Sequence, residues 1–597
     1  MARAKLTPGE IMKAVERADQ STLDLRKRME DDYNDRWILK PFKVKAGYQS
    51  FTTNESRAMA NKVISLIVDG KLNVSAPMGR AQQEERERHS AQERFLRGVF
   101  RAVDEELENQ FMPSLRAQLT FYATVRGFCF GRALLSKNED GDTFVDVVPW
   151  DPMHTYWSVG RRGMIWMAYR VNKTVADIKA EYPEYKFEAD EDDTAEHQVT
   201  DWYDDRQNAV IIHHGEGAFL KAPAEHGSQR VPCFFVAQGS APPVQAMGGA
   251  TSDKVSGAAS DYGESIWATN RHKYNSFNET MSDAKHLIRR AKRPTYVVVS
   301  RDGTRVLETD PFADGTEIAL KEGERIEVLD WIKMPPDTPA FIAIEAGEMQ
   351  RGGLPYIAYG ELPFAISGFG MVQLRQGIGS VVGPPKDCVT HALAQIARHI
   401  AEQYASGKFK KFKLHGRDSA NRWFEEEFDT ELMKDTRIEV TLMPDLPQDR
   451  AAAVSMAQMA RDPGASGVPM LPDRMIHEQY LNVEDPDLVA NTIKEQQAER
   501  MSPLAVMNGL ALAAGEMGRG DLVKIYLTEL QRLVASMFGP QTPPSGAVPQ
   551  EVPPLMPPTV LPNSVAGEPP PMPIPQAGPN VPPGSPRPGA QGGNGRL

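Results

Sequence analysis

The chain has 597 residues, a length that predicts three to five folding units at roughly 100–200 residues per domain. Hydrophobic residues make up 41% and charged residues 25%, which excludes a chain that is disordered or collagen-like throughout. The net charge of −12 argues against a basic protein that wraps nucleic acid, although a local basic surface remains compatible with it. No apolar run approaches the ~18 residues of a membrane helix, and the N-terminus lacks a signal-peptide core, so we expect no membrane association.

The first third predicts helices followed by strands. Thr7–Glu10 carries the signals of a helix start, and Asn54–Asp69 has apolar residues on one helical face. Residues 82–110 predict a long charged helix with one apolar stripe, formed by Phe95, Val99, Val103 and Leu107. A hairpin is predicted from Phe128–Leu135 and Phe144–Val148, and further strands at 164–171 and 208–221.

Two features near the later strands could hold a metal ion. Within the acidic loop 184–205, we interpret the run Asp190–Asp193 as solvated rather than as a cation site. His213 and His214 are adjacent in a predicted strand, where neighbouring side chains point to opposite faces and make a poor metal pair. We therefore expect no metal and no cofactor.

A long helix is predicted over residues 261–293, opened by a capping box at Asp261 and Glu264. Apolar residues recur at seven-residue spacing along it, a pattern typical of a helix that packs along another helix. This seam contains Trp267, Tyr274, Met281 and Ile288, with Phe277 in the complementary position. The basic residues near its end either complement the negative helix terminus or lie close to DNA, and the sequence leaves both open.

The next segment predicts a small β module, then two helices with a loop between them. Asp302-Gly303 predicts a hairpin between 295–300 and 304–307, and short strands follow at Glu317–Leu320 and Arg325–Leu329. A helix starts at Thr338-Pro339 and should be interrupted around Gly352-Gly353 and Pro355. A longer helical pattern follows, with a predicted break at Pro384-Pro385.

The last part of the chain changes from helices to a proline-rich tail. Strands are predicted at Lys408–Leu414 and Arg437–Leu442, and helices over 448–538. Of the 46 prolines, 19 lie in the last 58 residues, so we expect a disordered tail that buries no core.

One sequence motif offers a catalytic alternative. No phosphate-binding loop is present, and the three cysteines, Cys129, Cys233 and Cys388, form no pairing pattern. Gly127–Gly131 places Cys129 as in a nucleophile elbow, but that elbow needs a strand, a turn and a helix, whereas this motif precedes a strand. We expect a protein that is not an enzyme and keep a Cys-dependent hydrolase as the alternative.

The chain resembles the portal, or head-to-tail connector, proteins of tailed bacteriophages, particularly the short-tailed type. The resemblance lies in the order of several loose motifs: Tyr48–Ser50 before a helix, Arg126–Arg132 and Val145–Pro152 in the predicted hairpin, Gly263–Ile266 before the long helix, and Ser367-Gly368 before the longest one. It implies an α+β portal fold, with an α/β wing, long stem helices, a small β clip and a helical crown.

The resemblance also implies a division of the chain. The wing would comprise residues 1–260 and, together with the long helix, 374–445. The stem helices would be 261–293 and 338–361, the clip 294–337, the tunnel loop 362–373, the crown 446–538 and the disordered tail 539–597. Stem packing would use the seam residues named above.

The implied function is a homo-oligomeric ring, typically of twelve copies, at one capsid vertex of the virion, assembled in the bacterial cytoplasm. Double-stranded DNA would pass through it non-specifically during genome packaging and ejection. The terminase large subunit, tail adaptors, capsid protein and scaffolding protein would bind it. Candidate channel residues are Phe364, Ser367, Phe369, Arg375, Lys285, Arg289 and Lys292. Candidate docking residues on the clip are Arg301, Asp302, Gly303, Lys321 and Glu322. Phe364 and Phe369 would form the constriction or lie buried at the junction of wing and stem. A different ring-shaped phage adaptor or a capsid scaffold remains an alternative.

Overall fold

The computed structural model describes residues 6–538 with gaps. These gaps are 76–82, 138–141, 162, 188–190, 240–261, 293–294, 302, 304–305, 308, 312, 314, 316, 329–334, 360–367, 419–421, 435–436, 445–449, 462–470, 480–488, 490–492, 495, 498–502 and 517–518. The proline-rich tail, Asp302, Phe364 and Ser367 lie outside the described residues. The chain divides into two units, Met1–Gln497 and Ala498–Leu597, and the described residues of each unit pack together.

Both units contain helices, and the first also contains all of the described strands. The helices are α1 Pro8–Ser21, α2 Leu23–Asp32, α3 Glu55–Val68, α4 Gln83–Asn109, α5 Leu115–Phe121, α6 Val175–Glu181, α7 Arg271–Lys292, α8 Thr338–Arg351, α9 Gly368–Ala405, α10 Arg450–Arg461, α11 Asp473–Gln479, α12 Pro503–Glu516 and α13 Gly520–Phe538. The last two belong to the second unit, where they pack on each other. The mixture of helix and sheet agrees with the predicted α+β class.

The strands pair entirely antiparallel. They are β1 Lys71–Ser75, β2 Phe128–Lys137, β3 Thr143–Trp150, β4 Thr155–Gly160, β5 Gly163–Thr174, β6 Glu196–Asp204, β7 Gln207–Ile212, β8 Ala218–Glu225, β9 Cys233–Ala237, β10 Tyr296–Val299, β11 Arg325–Val328, β12 Phe412–Arg417, β13 Trp423–Phe428 and β14 Glu439–Met443. A three-stranded sheet has the order β3-β2-β9, and a five-stranded meander runs from β4 to β8. The pairs β1-β14, β10-β11 and β12-β13 form two-stranded sheets.

The main hydrophobic core lies between α3, α4 and α9 and the three-stranded sheet. The predicted stripe of α4 is buried there: Phe95, Val99, Val103 and Leu107 are at most 4% exposed. Two glutamines of α9 dock it on the sheet, because Gln403 accepts from Leu135 N (2.9 Å) and donates to Ala133 O (2.8 Å), and Gln395 bonds both backbone groups of Phe235. Residues far apart in the chain therefore build one closed core.

The local predictions in the first third are confirmed. Thr7 and Glu10 form a reciprocal capping box at α1, α3 and α4 occupy the predicted ranges, and β2 and β3 form the predicted hairpin. The stretch 208–221 is not one strand, because residues 213–217 separate β7 from β8. The strand predicted at 408–414 begins later, at Phe412.

Two predicted interruptions have different outcomes. The one around Gly352 is confirmed, since α8 ends at Arg351. The break at Pro384-Pro385 is wrong, because α9 continues through both prolines. Val382 and Val389, on either side of them, are fully buried in the same core, and this burial offsets the roughly 3 kcal/mol that an interior proline costs. Residues 368–373, predicted as part of a loop, form the start of this helix.

The long helix predicted from residue 261 begins only at Arg271, after a single 3-10 turn. The preceding residues are held in another conformation by contacts with the rest of the chain. Gly263 has a φ of +68°, and a Cβ atom there would meet the ring of Phe128 at 1.8 Å. Ile266 N donates to Thr124 O at 3.0 Å. These contacts override the local capping signal.

The pairing predicted in the β module is also wrong. β10 pairs with β11, with Val299 opposite Arg325, rather than with residues 304–307. The described residues of 304–307 and of 317–320 form no strand. The turn at Gly303, whose N–H donates to Ser300 O, is present but does not connect two paired strands of a two-residue hairpin.

Candidate functional site

The two helices α7 and α8 form an antiparallel pair, called here the helix pair. At its base, Asn270 Nδ2 donates to Met349 O at 2.7 Å, and Ser276 Oγ donates to Glu345 Oε1 at 2.6 Å one turn further along. Gly352 allows this close approach, since a Cβ atom there would lie 2.1 Å from Asn270 Oδ1. With 22 residues against 14, α7 is about 12 Å longer, so its C-terminal end extends past the start of α8.

An extended segment near the N-terminus runs along α7 and holds it. Asn278 Oδ1 accepts from Thr53 N at 2.8 Å, and Ser282 Oγ accepts from Phe51 N at 2.9 Å. Further along, the ring of Tyr48 stacks on His286 with centroids 4.0 Å apart. The inner face of α7 is thus covered by its own chain.

Asp32 fixes the base of the helix pair. Its carboxylate, 1% exposed, accepts hydrogen bonds from Arg36 (2.9 Å), Arg271 (3.0 Å) and Ser265 Oγ (2.6 Å). Arg36 also donates to Arg271 O at 2.9 Å, and burial lowers the pKa of Arg36 from its usual value. One buried anion with two cations therefore ties α2 to the start of α7.

The predicted seam divides into an inner and an outer part. Trp267 and Tyr274 are buried in the main core of their own chain, and Trp267 Nε1 donates to Ser56 O at 2.9 Å. Burial raises the pKa of Tyr274 to about 12. Phe277 packs partly buried near Phe51, Met281 is half-buried and Ile288 is 49% exposed. The buried seam residues thus contact residues of the same chain.

The exposed side of α8 is apolar, which the sequence analysis missed. Phe341 is 52% exposed and Ile344 is 59% exposed. Small or uncharged residues surround them on the same exposed side: Pro339, Ala340, Ala343 and Gly347. We call these six residues the α8 face. Four of them lie at the i, i+3, i+4 and i+7 positions from Ala340. This spacing can be read in the sequence, but it does not show which side of the helix the rest of the chain buries.

The basic channel candidates of α7 lie on its extended end. Arg289 and Lys292 are exposed and make no ion pair with residues that the structure describes, whereas Lys285 Nζ donates to Ser50 O at 3.1 Å. The positive charge also suits the C-terminus of a helix. Phe369 and Arg375 lie in the first turns of α9, where only the backbone is described.

The described clip candidates lie together at one end of the two-stranded sheet. Arg301 and Gly303 follow β10, and Lys321 and Glu322 belong to the turn that precedes β11. Because Val299 is opposite Arg325, both turns are at the sheet end away from the connections to α7 and α8. All four residues are exposed there.

Cys129 has the wrong surroundings for a nucleophile. It is fully buried in β2, with its Sγ 3.6 Å from that of Cys388, and burial raises the pKa of the thiol well above its usual value. A reactive cysteine needs access and a lowered pKa. The glycines of the motif have structural roles instead: a Cβ at Gly127 would lie 2.3 Å from Gly263 O, and one at Gly131 would meet Phe234 and Val148.

Among the residues that the structure describes, none of the helices is both long and apolar enough to span a membrane.

This chain is similar to known proteins in structure but not in sequence. No family model and no curated protein matches the chain. Solved structures do match, including the neck of an empty GTA particle computed with C6 symmetry, with 12% identity, a TM-score of 0.39, and coverage of 76% of this chain and 93% of the other. The virion of a native gene transfer agent (GTA) particle matches with 12% identity, a TM-score of 0.36 and coverage of 75% and 92%. The neck of a native GTA particle computed with C12 symmetry matches at the same identity and TM-score. TM-scores this low do not assign a function to the chain.

Proposed function

We propose that this protein is a portal-type structural subunit, which assembles into a ring at one vertex of a phage capsid and provides a channel for DNA. The observation that carries the proposal is the helix pair with its exposed α8 face. Hydrogen bonds join α7 and α8 at the base of the pair. Between these helices the chain forms a small sheet with two exposed turns, and after α8 it continues to the longest helix, α9. This is the order of elements in the portal proteins that the sequence resembles.

The α8 face supports assembly with further copies of the same chain. Contiguous exposed apolar surface is uncommon on monomeric proteins, and it marks interaction sites. Phe341 and Ile344 offer apolar side chains, while Ala340, Ala343 and Gly347 allow another helix to approach closely. A contact between this face and a different face of the next copy is heterologous, and such contacts close into rings when the rotation permits.

The charges support a channel through which DNA slides. The net charge is −12, so a ring repels a duplex on average, and the exposed Arg289 and Lys292 are local exceptions. Isolated contacts to phosphates do not read sequence and leave the duplex free to move. In this proposal the turns at Arg301 and Lys321 bind the terminase large subunit during packaging and tail adaptors afterwards, and capsid and scaffolding proteins bind elsewhere on the ring.

Light scattering and electron micrographs test the proposal. We expect the purified chain to form particles many times its mass of 66.2 kDa, with an axial opening wide enough for a DNA duplex. The double substitution Phe341→Asp and Ile344→Asp should yield folded monomers, because it places charges in the α8 face. Phe111→Asp is the control for a charge placed on exposed apolar surface, since Phe111 is 97% exposed and follows the end of α4.

Two results would contradict this proposal. A wild-type chain that stays monomeric at high concentration would exclude a ring. Rings of unchanged size from the double variant, with circular dichroism confirming its fold, would show that the α8 face does not form the contact.

A further inference from the structure

Glu191, His197 and His214 come together at one end of the five-stranded meander. Glu191 precedes β6, His197 is its second residue, and His214 follows β7. His197 Nε2 lies 2.5 Å from Glu191 Oε1, and His214 Nδ1 lies 3.6 Å from the same oxygen. One ligand atom from each of the three residues lies within 4.8 Å of the other two.

The meander explains why residues distant in sequence meet here. β6 and β7 are antiparallel, and His213 N donates to Gln198 O at 2.8 Å, which places the turn after β7 beside the start of β6. His213 turns away to bond Thr200 Oγ1 at 2.7 Å, while the ring of His214 stacks on His197 with centroids 4.9 Å apart. The loop before β6 is held by Ala176 N, which donates to Asp193 O.

The carboxylate of Glu191 is incompletely satisfied. Its side chain is 14% exposed, and its buried Oε2 has no hydrogen-bond partner among the described residues. An unpaired buried carboxylate oxygen is costly, and a bound cation would satisfy it. The two stacked imidazoles beside it supply nitrogen ligands.

We propose that Glu191, His197 and His214 bind a zinc ion, with water in the fourth position. Two imidazoles and one carboxylate form a ligand set that Zn²⁺ prefers, whereas Mg²⁺ and Ca²⁺ prefer oxygen ligands alone. Metal–ligand distances of about 2.1 Å separate tetrahedral ligands by about 3.4 Å. The three side chains reach this spacing through small rotations, which replace the hydrogen bond between His197 and Glu191 by metal coordination.

Residues 196–204 of the predicted acidic loop 184–205 form β6 itself, and the ion would link residues 191–195, which precede it, to the turn after β7. It would thereby stabilise one end of the meander, whose ligands precede the helix pair in the sequence by more than fifty residues. The site is independent of the α8 face, so the two proposals are tested separately.

Titration of the chelator-treated full-length protein with zinc tests the site. Calorimetry should show one ion bound per chain, and zinc should raise the melting temperature. Co²⁺ in place of zinc should give the visible absorption of a tetrahedral complex. Glu191→Gln and His214→Gln should each abolish saturable binding, and His214 is 41% exposed, so its replacement should leave the fold intact.

His391→Gln is the control, because His391 is an exposed histidine on α9. It should bind zinc as the wild type does. Absence of saturable binding by the wild type would overturn the proposal and leave an ion pair between Glu191 and His197 only. Binding that survives both ligand substitutions, or that is lost in the control, would equally overturn it.

Discussion

The main core and the helix pair differ in how much of their apolar surface is buried within a single chain. Around α4 and α9, large side chains from distant parts of the chain are buried: Phe95 is 0% exposed and stacks on Tyr404 with centroids 4.9 Å apart. In α8, by contrast, only Glu345 and Met349 are buried, and no side chain of β10 or β11 is. The first region has the packing of a finished domain, and the second leaves apolar surface for another molecule.

This difference separates folding from assembly. Substitutions in the main core should change the free energy of unfolding, because its contacts lie within the chain. Substitutions on the α8 face should leave unfolding of the monomer nearly unchanged and change association instead. The same chemical change placed in the two regions therefore gives a direct test.

Truncation of one phenylalanine in each region should have the most unequal effects. Phe95→Ala removes a fully buried ring and should lower the free energy of unfolding by about 3–5 kcal/mol. Phe341→Ala removes a half-exposed ring and should change it by less than about 0.5 kcal/mol. Denaturant unfolding, at a dilution where light scattering shows monomers, measures both. Equal effects would mean that the α8 face is already part of the chain's own core.

The junction between the two regions should be the next most sensitive place. Asp32→Asn removes the buried negative charge between Arg36 and Arg271 while keeping the size of the side chain. We expect a loss of about 3 kcal/mol, because two guanidinium groups then lack their counterion. The matched control is Asp283→Asn on the exposed side of α7, which should be nearly neutral. An Asp32→Asn variant with wild-type unfolding would show that the charge cluster does not hold α7 at its base.

The sequence predicts elements well where the signal is local. The stripe of α4 follows from periodicity within one helix, and the hairpin of β2 and β3 follows from two strand patterns that are adjacent in the sequence. Both predictions are confirmed. The start of α7 does not follow, because Gly263 packs against Phe128 more than one hundred residues away. Likewise, β10 pairs with a strand that begins 26 residues after it ends, and strand periodicity does not show which of several candidate strands is the partner.

The candidate sites depend even more on contacts between distant residues. The seven-residue spacing placed Trp267 and Tyr274 on the packing face of the helix. It could not show that residues of the same chain cover this face. The α8 face was not predicted, because the sequence of a helix with apolar residues on several sides does not show which side is exposed to solvent. The proposed metal ligands were not predicted, because Glu191 and His214 belong to separate sequence patterns and only the pairing of β6 and β7 brings them together.

The smallest of these effects concerns pH and is expected for a histidine beside the main core. His399 of α9 is largely buried, and burial lowers the pKa of its imidazole to about 4. In the unfolded chain a histidine has a pKa near 6.5, so the unfolded state binds the proton first as the pH falls. Stability is therefore lost progressively from about pH 6.5 down to about pH 4, and between pH 7 and pH 5 we expect a loss of about 2 kcal/mol.

Denaturant unfolding at pH 7 and at pH 5 tests this expectation. His399→Leu should remove about 2 kcal/mol of the pH dependence, because the variant has no imidazole to protonate. His272→Leu, at an exposed position on α7, is the control from the helix pair and should keep the wild-type pH dependence. If the His272 variant lost the dependence instead, acid would be acting on the helix pair, and the main core would not be the region that protonation destabilises.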